Sequence, residues 1–294
     1  MSTMEIIDDK SPICIPFILE QYKKYSTSNP SKPFIIGLNG VQGAGKTTLV
    51  TALALKLQDG EGLRPLVCSI DDFYLRHEDQ KALAESHPNN LLVQVRGEPG
   101  THDMNLARDF FTALCEGQPA RVPQYDKSAY SGKGDRVPES QWEEVNGPGQ
   151  PKIQVVIFEG WCVGFRRLDQ AEVSLKWNAS SRTLNKHTLE HLNFVNERLG
   201  DYDVITDTFD AFIHIDAEDT EWVYDWRLEQ EAMLRKQRGT GMTDDQVVKF
   251  VDAYYPAYEL FSDRLRNGLF LDKPGRQLRL IVGKDRKVKQ TVII

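Results

Sequence analysis

The stretch Gly40-Val41-Gln42-Gly43-Ala44-Gly45-Lys46-Thr47 constrains this chain more than any other, because it matches G-x-x-x-x-G-K-[ST] in the setting that pattern requires. Before it runs Phe34-Ile35-Ile36-Gly37-Leu38-Asn39, a short apolar run suited to a buried parallel strand. After it the spacing predicts a helix over 46–58, with Leu49, Leu53 and Leu57 on one face and Gly60 and Gly62 ending it. Glycines let successive N–H groups turn inward around an anion, and the helix N-terminus adds partial positive charge. Nucleoside triphosphate binding is implied, with Gly40, Gln42, Gly43, Ala44, Gly45, Lys46, Thr47 and Thr48 as candidate contacts. Lys46 would reach the β- and γ-phosphates and the Thr47 hydroxyl would ligate Mg²⁺. A glycine-rich turn can also be a mere tight connection, but strand, helix and Lys-Thr pair together count against that.

Leu66-Val67-Cys68-Ser69-Ile70, Val155-Val156-Ile157-Phe158 and Ala211-Phe212-Ile213-His214-Ile215 share the all-apolar character of the first strand. Separated by helical segments, they predict an α/β fold with a parallel sheet covered on both faces, its carboxyl strand ends along one edge. The second strand runs into Asp71-Asp72-Phe73-Tyr74 and the third into Glu159-Gly160-Trp161, so Lys46, Asp71 and Glu159 are expected to converge. Asp71 would orient an acceptor hydroxyl and take its proton, and Glu159 would hold Mg²⁺ directly or through water. Asp72 and Tyr74 are further acceptor-side candidates. Carboxylates also end strands simply because the chain reaches solvent there, and of two adjacent side chains one usually points away.

Farther on, 220–234 reads as a helix with Trp222 and Trp226 on one face and Arg227, Glu231 and Arg235 in i, i+4 steps on another. It leads through Arg238 into Gly239-Thr240-Gly241, which suits a lid closing over phosphates. Arg227, Arg235 and Arg238 are therefore either rungs of a salt-bridge ladder or phosphate contacts. The Pro- and Gly-rich segment 116–152 has little periodicity, and its Tyr125, Tyr130 and Trp142 favour a functional loop over a disordered one.

Composition narrows the remaining classes. A net charge of -7 argues against a general nucleic-acid binder, which needs a basic surface. No stretch approaches the roughly 20 apolar residues of a membrane span, and the amino terminus lacks a basic n-region. The expectation is a cytoplasmic or nuclear protein without nucleic-acid or membrane partners, a monomer or small homo-oligomer. Cys14, Cys68, Cys115 and Cys162 form no C-x-x-C pair and read as reduced thiols. From Arg264 onward nine Lys/Arg face two Asp, which reads more readily as a solvated basic face on the last strands than as an anion site.

Motif order adds a resemblance. The 40–47 loop, Ser69-Ile70-Asp71-Asp72-Phe73-Tyr74-Leu75, Arg96-Gly97-Glu98-Pro99-Gly100-Thr101-His102-Asp103, Pro123-Gln124-Tyr125-Asp126-Lys127-Ser128 and Phe158-Glu159-Gly160-Trp161 follow one another as in the D-glycerate 3-kinase-like P-loop kinases. Trp226-Arg227-Leu228-Glu229-Gln230-Glu231, Gly241-Met242-Thr243-Asp244-Asp245 and Tyr255-Pro256-Ala257-Tyr258 look similar too, and the likeness spans roughly 33–290. It implies a doubly wound parallel sheet with a P-loop NTPase core, a mobile lid at about 220–245 and a substrate-side insertion at about 85–150 within a domain of 31–294. Residues 1–30 read from their own pattern as a helical extension, a helix from about Pro12 to Tyr25 followed by a Ser/Asn/Pro linker. The resemblance implies ATP and Mg²⁺ as cofactors and a small hydroxylated metabolite, D-glycerate foremost, as acceptor. In this likeness Asp71 is the base, and Arg96, His102, Tyr125, Lys127 and Arg136 belong to the acceptor side, cations there suiting a carboxylate.

Competing readings are a kinase of the uridine or pantothenate type and an ATP-binding regulatory protein. A GTPase would need N-K-x-D, and Asn185-Lys186-His187-Thr188 has Thr where the Asp belongs.

Overall fold

The computed structural model describes residues 8–29 and 31–294, so residues 1–7 and Pro30 of the expected extension lie outside the described residues. Six strands form the central sheet: β1 (Phe34–Gly40), β2 (Pro65–Ser69), β3 (Val155–Gly160), β4 (Ala211–Ala217), β5 (Gln277–Val282) and β6 (Val288–Ile293). Their order is β6-β5-β4-β1-β3-β2, parallel throughout except for β6 at the edge. Every residue of β1 and β4 is buried, as continuous apolar runs demand of strands covered on both faces. The chain crosses from β1 to β2 on one side and reaches β4 on the other, so the crevice of this α/β sheet opens at the carboxyl end of β1.

The helices are α1 (Ser11–Ser28), α2 (Lys46–Leu55), α3 (His77–Ser86), α4 (Met104–Cys115), α5 (Gln170–Asn178), α6 (Leu189–Leu199), α7 (Asp203–Thr206), α8 (Trp222–Arg238), α9 (Asp244–Asp252) and α10 (Tyr255–Arg266). The helix expected over 46–58 is α-helical only to Leu55; a wider turn over Lys56–Gly60 then buries Leu57 while Lys56 reaches Asp8 at 3.1 Å. The helix expected over 220–234 runs on to Arg238 and stops at Gly239, whose φ of +75° is the left-handed conformation that satisfies a helix end. The Pro- and Gly-rich segment folds into two short antiparallel ribbons, 120–121 with 144–145 and 125–126 with 135–136.

Two packing features go beyond the sequence reading. Helix α1 buries Cys14 and Ile18 completely and sets Tyr22 and Tyr25 against Phe34 of β1, with ring centroids 5.9 and 5.4 Å apart. The basic segment is not all solvated: Arg266 and Arg279 both turn onto Asp216, whose side chain is 3% exposed, with contacts of 2.9 and 2.5 Å. A carboxylate removed from water this far stands only with paired, hydrogen-bonded partners.

Because Ile18 has no exposure, Ile18→Ala is expected to cost about 2–5 kcal/mol in urea denaturation; a cost below about 1 kcal/mol would mean that α1 is separable from the sheet core.

Candidate active site

Three neighbouring strands stop together at this edge. Glu159 of β3 is in register with Ser69 of β2 and Leu38 of β1, and β1 ends at Gly40. The loop that follows enters α2 through Gly45, whose φ of +93° excludes a side chain without strain. Gly43, at φ +84°, is also held by space, since a Cβ there would lie 2.6 Å from Trp226 Cβ. Lys46 folds back over the loop, its Nζ 2.7 Å from the Gly40 carbonyl. Burial pushes its pKa down, opposed by the negative charges of Glu159 and Asp71.

Lys46, Asp71 and Glu159 line one cavity of about 390 Å³, together with Gln42, Gly43 and Thr47. Asp71 lies in a 3-10 turn, Ile70–Phe73, opened by a reciprocal cap: Ser69 Oγ accepts from Asp71 N–H at 3.3 Å and Asp72 accepts from Ser69 N–H at 3.4 Å. The cap turns the two acids apart. Burial works against ionisation of Asp71, but Lys127, with Nζ 2.5 Å from its carboxylate, outweighs it and holds the pKa below the ordinary value. Asp72 is pushed up to about 6 by burial and, unlike Asp71, does not line the cavity.

Other expected residues divide between wall and scaffold. Tyr74, Arg96, Lys127 and Arg227 line the cavity. Arg96 donates to the Gly132 carbonyl at 2.9 Å and lies over the rings of Tyr74 and Tyr125, 5.9 and 5.6 Å from their centroids. Tyr125 itself stands behind, packed edge-on against Tyr74. His102 also sits behind Tyr74, stacked at 4.4 Å, with Nδ1 2.6 Å from the Tyr202 hydroxyl; burial drives its pKa down to about 4, so it is neutral. Arg136 is turned onto the Tyr74 carbonyl (3.0 Å) and Asp103 (3.1 Å). His102 and Arg136, both expected on the acceptor side, thus stand behind the cavity wall and against Tyr74.

Along α8, Arg227 lies over Phe250 at 4.8 Å and donates to Gln230 at 2.7 Å. Arg235 instead pairs with Asp244 at 2.7 Å and donates to the Met242 carbonyl, pinning the turn into α9, and it does not line the cavity. The Arg238 side chain lies outside the described residues. Thr48 is exposed on the first turn of α2 and, like Gly40, Ala44 and Gly45, is not part of the cavity wall.

Ser69, Trp161, Gln230, Phe250 and Tyr254 line the cavity without having been singled out for it. Trp161 is fixed from β1, where buried Asn39 donates to the Trp161 and Val163 carbonyls at 3.0 and 2.8 Å. Tyr254 stands edge-on to Trp161 at 5.1 Å, and Gly97 makes room for it: a Cβ there would lie 2.5 Å from the Tyr254 ring.

No family model matches the chain. The kinase mug58 of Schizosaccharomyces pombe is 39% identical over 277 residues, covering 92% of this chain and 94% of its own. The solved D-glycerate 3-kinase from Cryptococcus neoformans var. grubii is 35% identical, with a TM-score of 0.87 over 97% of this chain and 99% of that one. The chain belongs to the D-glycerate 3-kinase-like P-loop kinases. It is an ATP-dependent phosphotransferase of this family, and it also matches the chloroplastic D-glycerate 3-kinase of Arabidopsis thaliana at 35% identity while spanning 55% of that protein's length. No helix among the described residues of this kinase is long and apolar enough to cross a membrane.

Asp72 supplies a pH test of the capped turn. Its folded pKa of about 6 lies above the ordinary 3.8, so the folded protein holds the extra proton and stability falls as pH rises from about 4 to 6. Asp72→Asn keeps the cap acceptor and removes the titration. Its stability relative to wild type is expected to rise across that window by on the order of 1 kcal/mol and then level off, read by urea denaturation at stepped pH; parallel curves would place the shift elsewhere.

Proposed function

We propose that this kinase transfers the γ-phosphoryl group of ATP to a hydroxyl of D-glycerate, giving 3-phosphoglycerate. One observation carries the reading: Lys46, Asp71 and Glu159, from three separate strand ends, share a cavity with the cations Arg96, Lys127 and Arg227. A phosphate-binding loop beside three cations suits an acceptor that is itself an anion. Two relatives that carry D-glycerate in their names favour that acceptor.

Thr47 and Glu159 fit a magnesium ion that arrives with its nucleotide. Among the described residues no group of three His, Cys, Asp or Glu could hold an ion unaided. Mg²⁺ commonly keeps one or two protein ligands and takes the rest from phosphates and water. Bound with ATP, it would supply charge neutralisation on the phosphate oxygens.

The chain's own groups would do the remainder. The amides of the loop and Lys46 would hold the β- and γ-phosphates, and Arg227, on a helix that would act as a lid, would meet the charge spreading over the transferred oxygens. An acceptor carboxylate would offer Lys127 and Arg96 a partner, freeing Asp71 from its ion pair to take the hydroxyl hydrogen bond. Asp71 would then act mainly by aligning the oxygen for in-line attack, the hydroxyl proton passing late in a loose transition state. Tyr74, Trp161 and Tyr254 would exclude water from that line.

Purified protein given ATP, Mg²⁺ and D-glycerate is expected to release ADP in proportion to acceptor. Turnover with uridine or pantothenate and none with D-glycerate would move the acceptor assignment to the sister type. Asp71→Asn is expected to leave nucleotide affinity within about twofold and lower kcat by about 10²- to 10⁴-fold; unchanged kcat would remove Asp71 from the reaction.

A further inference from the structure

The turn joining β5 to β6 closes with the Gly283 N–H donating to the Lys287 carbonyl at 3.0 Å and the Arg286 N–H to the Gly283 carbonyl at 2.8 Å. Arg286 adopts φ +63°, the left-handed position that such a hairpin ordinarily gives to glycine. The turn could be made at lower strain without a side chain, so what the arginine adds is its guanidinium.

That guanidinium ends at the nucleotide loop. Nε donates to the Gly43 carbonyl at 2.9 Å, Nη2 to Glu229 of α8 at 2.6 Å, and the group faces the Trp226 ring at 5.3 Å. Trp226 returns the contact, its Nε1 donating to the Lys284 carbonyl at 2.9 Å. Loop, helix α8 and hairpin therefore meet at Gly43, the residue with no room for a Cβ against Trp226. Within the middle of the loop the other backbone ties are longer, Ala44 N–H to the Val41 carbonyl and Gln42 N–H to the Tyr258 hydroxyl both at 3.2 Å, and the 2.7 Å contact from Lys46 Nζ falls on the Gly40 carbonyl where the loop begins.

We propose that Arg286 is a positioning residue for the nucleotide, fixing the phosphate-binding loop from outside through the Gly43 carbonyl and tying it to α8 through Glu229. A peptide unit is planar, so anchoring the carbonyl of residue 43 fixes the direction of the Ala44 N–H. A planar, always-charged fork can serve a carbonyl and a carboxylate at once, where an ammonium holds them less rigidly. A loop already ordered loses less freedom when it closes on phosphate, and the gain appears as affinity. The proposal rests on the binding of ATP by this loop and is independent of which hydroxyl receives the phosphoryl group.

Arg286→Gly is the discriminating variant, because glycine favours the turn while removing the tie. Calorimetric titration with ATP and Mg²⁺ is expected to show affinity weakened about tenfold, with KM for ATP following, KM for the acceptor unchanged and no loss of melting temperature. Arg286→Lys should recover part of the affinity and Glu229→Gln should lose part of it. An Arg286→Gly protein that binds ATP as wild type does, or one in which acceptor KM rises and melting temperature drops along with the loss of ATP affinity, overturns the proposal. Wild-type protein that binds no ATP overturns the nucleotide reading and this proposal with it.

Discussion

The site exists because β1, β2 and β3 run in the same direction and stop at the same level. Parallel pairing sets Ser69, Glu159 and the last residues of β1 side by side, so two carboxylates and an ammonium meet although their residues are separated by up to 113 positions in the chain, from Lys46 to Glu159. The meeting is electrostatically necessary as well as convenient. Taking an ammonium out of water is costly: burial pushes the Lys46 pKa down, and the loop carbonyl at 2.7 Å and the acids Glu159 and Asp71 facing it work against that cost. Sheet register, loop conformation and charge balance are thus one constraint seen at three scales.

Around that centre the wall is built in two layers. Tyr74, Trp161 and Tyr254 face the cavity, and a second set holds them: His102 and Tyr125 pack on Tyr74, and Asn39 secures the backbone at Trp161. Aromatic rings have few rotatable bonds, so packing from behind fixes their faces at small entropic cost. In this second layer Asn39 donates to the Trp161 and Val163 carbonyls and His102 Nδ1 meets the Tyr202 hydroxyl. His102 is neutral in this layer, which spares the region a buried positive charge beside Lys46 and Lys127.

Much of this was legible beforehand for a physical reason: strand periodicity and the loop pattern are local, and the parallel topology then dictates which ends converge. Lys46, Thr47, Asp71 and Glu159 could be read in that way. Direction within a pair or a helix turn could not. Asp71 and Asp72 are adjacent and chemically alike, and only the cap from Ser69 separates them. Arg136 and Arg235 carry the same guanidinium as Arg96 and Arg227, and their neighbours Asp103 and Asp244 turn them away from the cavity. Phe250 and Tyr254 look like an ordinary apolar helix stripe, and nothing short of the fold says that the stripe faces a cavity. For the basic segment after Arg264 composition is the only sequence signal, and composition cannot tell an arginine on water from one on Asp216.

The earliest described residues and the last hairpin also touch. Asp9 accepts from the Val288 N–H at 2.7 Å, and Lys10 donates to the Arg286 carbonyl at 2.6 Å. Contacts closing so long a stretch of chain are slow to form, since the entropy of closure is met before any reward arrives. During synthesis the segment around Asp9 must wait, its partners unmade, until the ribosome has released nearly the whole sheet. Such a chain completes its architecture late, and the exposed β4 and β5 edges in the interval are where a chaperone would have most to shield.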